Sequence, residues 1–397
     1  MIGSTQWQGR RAMSVGVFIC AALGALASQT CRADLLVSSN DGHTELKDGQ
    51  LLPSASPRPD TLTVVDVANN GYRVLSTTDM PGSVIGPPMS VWVSPDESWG
   101  IVTASSKIGN DTPKKIVPND EVAVFSLGGE PTGAKATITQ RLPAGAGATT
   151  VRLSPDGRYA VIPNRNGGSV SFFRVDGHTL TPFYTIDIGK DSGTNGAVFL
   201  KDSRTVLVTV QNQNRVAVLH IDGDKVVEDK RSITTGLAPL TIDVNSDRTL
   251  AAVSNMGRGA GDVDTVSLID LTSAPYRTVD TASVPSGPEP MKFSPDGRFL
   301  AVGSENGSSK GSTTPFYHTY GYLSMFAVNH GHLSLVAQAQ SGAYLEGLAF
   351  SRDGSRVYVQ ENSKNLIWVY GWNGSQLNVM AKMPTPTGPS ALVTAWP

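Results

Sequence analysis

Met291-Lys292-Phe293-Ser294-Pro295-Asp296-Gly297 is the stretch from which the rest of this 397-residue chain can be read. The same phrase returns as Val151-Arg152-Leu153-Ser154-Pro155-Asp156-Gly157 and as Leu348-Ala349-Phe350-Ser351-Arg352-Asp353-Gly354, and a variant closes on Ser94-Pro95-Asp96. Fainter copies end at Asp202 and Asp247, so the aspartates recur about every fifty residues. A turn rich in Gly and Pro precedes each copy, as in Gly236-Leu237-Ala238-Pro239 and Gly287-Pro288-Glu289-Pro290. Two β-rich runs follow, Tyr159 to Ile162 and Ser169 to Phe173, then the turn Val175-Asp176-Gly177 and a third run, Phe183 to Ile186. Four short strands per unit make one blade of a β-propeller, with Ser-Pro-Asp-Gly as the tight turn between the first two strands.

Counting units closes the ring. The N-terminal part offers only three strands, Leu35 to Ser38, Thr61 to Val67 and Tyr72 to Leu75, while Gly388 to Val393 is an inner strand with no blade after it. Pairing these two ends makes a seventh blade and hides the free edges that invite aggregation. The expected fold is therefore all-β: a single seven-bladed propeller over residues 34–397, with four-stranded antiparallel blades and the C-terminal strand paired to the N-terminal ones.

Composition agrees and excludes some function classes. Charged residues are 17% of the chain, below the roughly 25% usual in soluble domains, and Gly (41) and Pro (25) are abundant, which fits many turns and few solvated helices. A net charge of -2 gives no general attraction to nucleic acid. Residues 1–33 lack any acidic residue: Arg10 and Arg11 precede an apolar run from Met13 to Ala27, and Cys31-Arg32-Ala33 follows. This is the layout of a cleaved secretory signal, with the cut after Ala33 or, second, after Ala27; the arginine pair raises the twin-arginine route. The run is too short for a bilayer span, so the mature protein is expected to be exported, periplasmic or secreted, without a membrane anchor. Cleavage after Ala33 removes both cysteines, Cys20 and Cys31, and with them any catalytic thiol or disulfide.

With the strands lettered A to D from the axis outward, the Ser-Pro-Asp-Gly turns all fall on one face. The other face collects four extended B–C loops: Asn40 to Asp60, Ser106 to Asp120, Met256 to Asp264 and Asn306 to Tyr320. Long loops on a rigid frame are where ligand sites concentrate. Alignment on the turn aspartate then sorts the A strands. Seven positions before it stand Glu289 and Glu346 on adjacent blades; the pair suits acid and base work, or the holding of calcium or another divalent cation, or mere contact with solvent at the mouth. Four positions before it stand Arg152, Asp243 and Lys292, with Asp243 and Lys292 on neighbouring blades and placed for an ion pair. His43 and His318 are the histidines on long loops of the ligand face. Phe316, Tyr317, Tyr320 and Tyr322 crowd around His318, and such rings either stack on a ligand or tie the loop to its blade.

The Gly-x-x-Pro, Ser-Pro-Asp-Gly and Val-x-Asn elements, carried by Gly287 through Phe299, Gly236 to Pro239, Ser154 to Asn164 and Ser351 to Asn362, resemble the YVTN-type propellers and the seven-bladed lactonase family of 6-phosphogluconolactonase type. The resemblance covers the whole mature chain and implies the fold. Lactonase members carry an Arg-His pair after Gly-Pro at the head of an A strand, and here that place reads Glu289-Pro290. The departure argues against 6-phosphogluconolactone as substrate.

Three functional readings follow. The first is an exported propeller that binds a small molecule or protein on its loop-rich face, with no reaction and no required cofactor; Lys292, Asp243, His43, Phe316, Tyr317 and Tyr320 are its candidate contacts. The alternative is a lactonase-like hydrolase on another lactone, in which Glu289 or Glu346 activates water while His318, Arg152 or Lys292 polarises the carbonyl. The third is a propeller subunit of a periplasmic dehydrogenase, whose redox centre would belong to a partner because no haem-attachment motif occurs.

Overall fold

Seven blades of four antiparallel strands, one of them with a short fifth strand, Ile233–Thr234, form the ring in the computed structural model, which describes residues 1–4, 34–67, 71–128 and 134–395. The expected leader falls, apart from its first four residues, outside these. Blades are numbered here in chain order. Their A strands are Gly388–Thr394 (blade 1), Val91–Val93, Arg152–Leu153, Thr194–Phe199, Pro239–Val244, Pro288–Phe293 and Leu345–Phe350 (blade 7). Blade 1 is the composite one, with strand order Gly388–Thr394, Leu35–Asp41, Thr61–Asp66, Arg73–Asp79. Its two chain ends pair antiparallel, Val37 opposite Val393 and Ser38 opposite Leu392, so the ring closes as the strand count requires.

Burial explains the run-like hydrophobicity of the inner strands. Tyr159–Asn164 and Thr205–Val210 are buried at every position, because each blade is covered on both faces by its neighbours. Outer strands such as Lys135–Pro143 alternate between cover and solvent and read accordingly. Buried side chains of adjacent blades interlock, as where Phe199, Val208 and Leu219 pack with Phe172 and Val161.

Two repeated motifs earn their recurrence by hydrogen bonding. In the Ser-Pro-Asp-Gly turn the Ser154 hydroxyl donates to Asp156 Oδ1 at 2.6 Å and accepts the Arg158 and Tyr159 N–H groups at 3.2 and 3.0 Å. Gly157 lies at φ +69°, where an L side chain is strained. The asparagine closing several B strands fastens the C strand: Asn164 Nδ2 donates to Ser169 and Ser171, and Asn255 Nδ2 to Thr265 and Ser267.

The long loops differ in kind. Ser106 to Asp120 is largely a continuation of its blade, with Lys107 opposite Val117 and Ile108 opposite Ile116, because β-branched residues flank the tip. Asn40 to Asp60 carries its own hairpin, Thr44–Lys47 against Gln50–Pro53. The hairpin tip meets the loop of blade 6: Asp48 Oδ1 accepts the Ser312 N–H at 2.9 Å, and Gly49 lies directly against Gly311. Blade 7 stands between blades 6 and 1 in the ring, so the two loops join above it. Among the described residues no helix is long and apolar enough to cross a membrane.

Candidate functional site

The A strands lead from the loop-rich mouth down the axis, and the residue at the head of each strand faces the mouth. Glu289 and Glu346 occupy that position on blades 6 and 7. Neither reaches solvent as an open rim would allow: Glu289 is 6% and Glu346 1% exposed. Both carboxylate oxygens of Glu346 are buried without a hydrogen-bond partner in the protein. Tyr344 lies beside the pair, close enough for both acids to act on its phenol, and its N–H donates to Ser308 Oγ of the blade 6 loop at 2.9 Å.

A third carboxylate, Glu305, completes the cluster. It is 4% exposed and accepts a hydrogen bond from the Ser309 hydroxyl. Burial, and then the other carboxylates nearby, push Glu289 and Glu346 well above the ordinary value of 4.5. Burial raises Glu305 as well, against the Ser309 hydrogen bond and the Lys310 charge. Burial and the same acids, Glu346 first, push the Tyr344 phenol well up. Two cations answer the acids. Arg165, from the B–C turn of blade 3 across the mouth, and Lys310, from the blade 6 loop, both pull Glu289 back down. The group thus combines carboxyls whose pKa values are raised with fixed positive charge, an arrangement suited to a carboxyl that donates and a carboxylate that accepts at one site.

A cleft of about 210 Å³ between the loops of blades 5 and 6 borders the cluster at Glu305. Arg258, Lys310 and Phe316 line its walls, and Glu305 contributes to its lining.

Arg165 and Glu305 were not singled out by the sequence reading. They share one register, nine residues after the turn aspartates Asp156 and Asp296, where the B strand gives way to its loop. On blades 4, 5 and 7 that register holds Gln211, Met256 and Asn362. Carrying the aspartate alignment forward into the loops, rather than only back into the A strands, is the signal that would have found them.

The other expected residues are placed as follows. Arg152 is not brought to the carboxylates; with Asp243 and Lys292 it lines a different cavity, at the short-turn end of the axis. The anticipated ion pair is there, Lys292 Nζ donating to Asp243 Oδ1 at 3.0 Å. His318 is exposed and packs on Tyr320 at 5.5 Å, and Tyr320 meets Tyr322 edge-on at 5.5 Å. These rings tie the end of the loop to its blade, since Tyr322 lies in the strand Gly321–Asn329, and half-buried Tyr317 donates its N–H to Thr314 O. Of the aromatics expected to contact a ligand, Phe316 lines the cleft.

His43 is held by two acids, its Nδ1 lying 2.7 Å from Asp60 Oδ1 and 3.2 Å from Asp41 Oδ1. Hydrogen bonding to Asp60 and the charges of both acids raise its pKa, in spite of the opposing effect of burial, which is the largest. Among the described residues Asp41, His43 and Asp60 are the three acids and imidazoles with metal-ligand spacing, all within 4.8 Å. Their oxygens are already engaged: Asp41 Oδ1 accepts the His43 and Thr44 N–H groups and Asp60 Oδ1 that of Gly42, which makes the trio the hub of the blade 1 loop. Glu289 and Glu346 have no third ligand at that spacing among the described residues.

No family model and no curated protein matches the chain. Solved structures match it over nearly its full length. A protein of Bacteroides uniformis named a "putative 6-phosphogluconolactonase" is 15% identical, with 91% of this chain and 99% of that chain covered and a TM-score of 0.70. The periplasmic gluconolactonase of Pseudomonas aeruginosa is 17% identical over 91% of this chain and 98% of its own, with a TM-score of 0.66. A protein of unknown function from Desulfotomaculum acetoxidans is similar to the same extent, 13% identical with a TM-score of 0.67, over 92% of this chain and 100% of that one. At these identities the likeness is one of fold, the seven-bladed propeller of lactonase type.

Proposed function

We propose that this chain is an exported lactone hydrolase, working from the loop-rich mouth on a sugar lactone or other lactone distinct from 6-phosphogluconolactone. The observation that carries the reading is the buried trio Glu289, Glu305 and Glu346, raised in pKa and faced by Arg165 and Lys310. Hydrolysis of a lactone needs a base for water, a positive site for the oxygen that becomes an oxyanion, and an acid for the departing ring oxygen. An ionised carboxylate of the trio takes a proton from water as the water oxygen bonds to the carbonyl carbon. Arg165 or Lys310 stabilises the resulting oxyanion. A neighbouring protonated carboxyl then gives its proton to the ring oxygen as the acyl C–O bond breaks, and one water has been added to yield a hydroxy acid.

Support from the comparisons is consistent with this and coarser. The Pseudomonas aeruginosa neighbour is a periplasmic gluconolactonase, which agrees with the leader read in residues 1–33. Glu289-Pro290 at the place where the lactonase family has Arg-His leaves the substrate a different one. The test is base uptake at constant pH by the purified mature protein on a panel of aldonolactones and simple γ- and δ-lactones. Turnover that disappears in Glu289→Gln and Glu346→Gln, with the fold intact by circular dichroism, supports the reading. Turnover unchanged in both variants, or absent on every lactone, overturns it. Lactone-dependent thermal shift without turnover would return the protein to the role of a binding propeller.

A further inference from the structure

A cavity larger than the cleft at the loop-rich mouth lies at the other end of the axis. It opens at the short-turn end of the axis, has a volume of about 610 Å³, and its walls include Trp92, Arg152, Phe199, Asp243, Arg248 and Lys292. Cavities of roughly 300–1,000 Å³ with apolar walls and a few placed polar groups are the usual dimensions of a small-molecule site.

Its charge is unbalanced. Three cations, Arg152, Arg248 and Lys292, line it with two carboxylates, Asp243 and Asp96. Asp243 is already satisfied: Oδ1 accepts from Lys292 Nζ at 3.0 Å and Oδ2 from the Phe293 N–H at 2.9 Å. Asp96, at the exposed rim, is occupied by the Ser94 and Ser98 hydroxyls at 2.5 and 2.8 Å. Neither guanidinium has a carboxylate partner at ion-pair distance among the described residues. Arg152 Nη1 donates to the Val151 and Met89 carbonyls at 2.8 and 3.3 Å, and Arg248 Nη1 to the Phe199 carbonyl at 2.6 Å. A guanidinium has five N–H donors, so each keeps several without a protein acceptor. The carbonyls hold both groups in place, which keeps the free donors pre-set for an incoming ligand. Burial pulls Arg152 down to about 10, against the attraction of Asp243, and it stays charged at neutral pH.

The remaining wall is aromatic and aliphatic. Trp92 is half-buried, stands four residues before the turn aspartate like Arg152, Asp243 and Lys292, and is fixed edge-on by Trp99 at 5.0 Å. Toward the mouth the bore tightens at Met89, Pro290 and Leu348, beside a residual space of about 30 Å³. The wide cavity therefore ends below the level of Glu289 and Glu346.

We propose that this cavity is a second binding site, separate from the carboxylate trio, for a small organic carboxylate bearing a flat ring. The carboxylate is bound by the free donors of Arg152 and Arg248, and the ring lies against Trp92. Two guanidinium forks match a planar anion, and an indole face suits a ring. The inference does not depend on the lactone chemistry at the other end.

Isothermal titration of the purified mature protein with benzoate, benzamide and inorganic phosphate tests it. Benzoate is expected to bind at one site per chain, at least about ten-fold more tightly than benzamide, which lacks the charge, and than phosphate, which lacks the ring. Arg152→Gln and Trp92→Leu should each weaken benzoate by about ten-fold or more. If Arg152→Gln does not fold, Arg248→Gln carries the same expectation from a less buried position. Equal binding of benzoate and benzamide, phosphate binding as tightly as benzoate, or benzoate affinity unchanged in Arg248→Gln would each overturn the proposal.

Discussion

Glu289 and Lys292 lie three residues apart on one A strand, about 10 Å along it, and they belong to opposite chemistries. Glu289 joins Glu305 and Glu346 at the mouth, where removal from water raises the carboxylates well above their ordinary value. Lys292 faces the open short-turn end, where it pairs with Asp243 beside two guanidiniums. The turn aspartates at that end move the other way from the glutamates. For Asp156 and Asp296 burial is slight and is outweighed by the serine hydroxyl, the backbone N–H and the neighbouring arginine, which lower both. The same functional group thus stores a proton at one end and sheds it early at the other. What differs is the number of donors aimed at it and the cover above it, not the strand that carries it.

The strongest way to break this contrast is at the mouth. Glu289→Gln combined with Glu346→Gln should lower lactone turnover by roughly 10²–10⁴-fold, the range for loss of general acid–base catalysis. Each change is isosteric and removes a buried acid without creating a cavity, so folding should persist. A double variant that retains half its turnover would mean the trio is structural.

Next in size is Lys292→Met at the other end. Asp243 is 4% exposed and would lose its cation. Breaking a fully buried pair costs about 3–5 kcal/mol, and Lys292 is partly open to the cavity, so about 2 kcal/mol is expected from urea unfolding. Adding Asp243→Asn should recover most of that. No loss in Lys292→Met would show that cavity water already neutralises Asp243, which would sharpen the contrast between a dry and a wet end.

The fold was legible because turn chemistry is local. Ser154, Asp156 and Gly157 make their hydrogen bonds and their positive φ within five residues, so the repeat survives in the sequence wherever the turn does. In the weaker copies the Ser-Pro before the aspartate is lost and another residue takes the strained position, Ser203 at φ +59° and Arg248 at φ +57°, as Glu97 also does at φ +59° after Asp96. The axial register was legible for the same reason, and it placed Trp92, Arg152, Asp243 and Lys292 on one wall. The depth along the axis was not. Grouping Arg152 with Glu289 overlooked the three residues that separate their registers, and strand rise turns that into opposite ends of a bore. The loops of blades 1 and 6 meet where Asp48 accepts from Ser312, 264 residues away in sequence. No local pattern reports such a contact.

A smaller effect tests the turn itself. Gly157→Ala has open space around the new Cβ, so its cost is the left-handed backbone alone, about 1 kcal/mol. Chemical denaturation should show a lowered midpoint with an unchanged slope. A neutral result would mean that the turn can relax to another type and that the repeat is kept by its serine and aspartate.

The last prediction is a difference in sign and needs only thermal melts across pH. Folded Glu346 holds a proton that the unfolded chain has released above its ordinary value of 4.5. Stability on its account is therefore complete below that value and declines as pH rises toward the elevated folded pKa. Folded Asp156 has released its proton where the unfolded chain still holds one, so its contribution is present above 3.8 and is lost as pH falls through the lowered value. Glu346→Gln should then raise the melting temperature increasingly from about pH 5 to pH 8, and Asp156→Asn should lower it there while leaving the acid limb of the profile flatter. The aspartate is largely exposed, so its effect will be the lesser of the two. Parallel curves for the two variants would remove the distinction between the ends, since a stored proton and a shed one must tilt the profile in opposite directions.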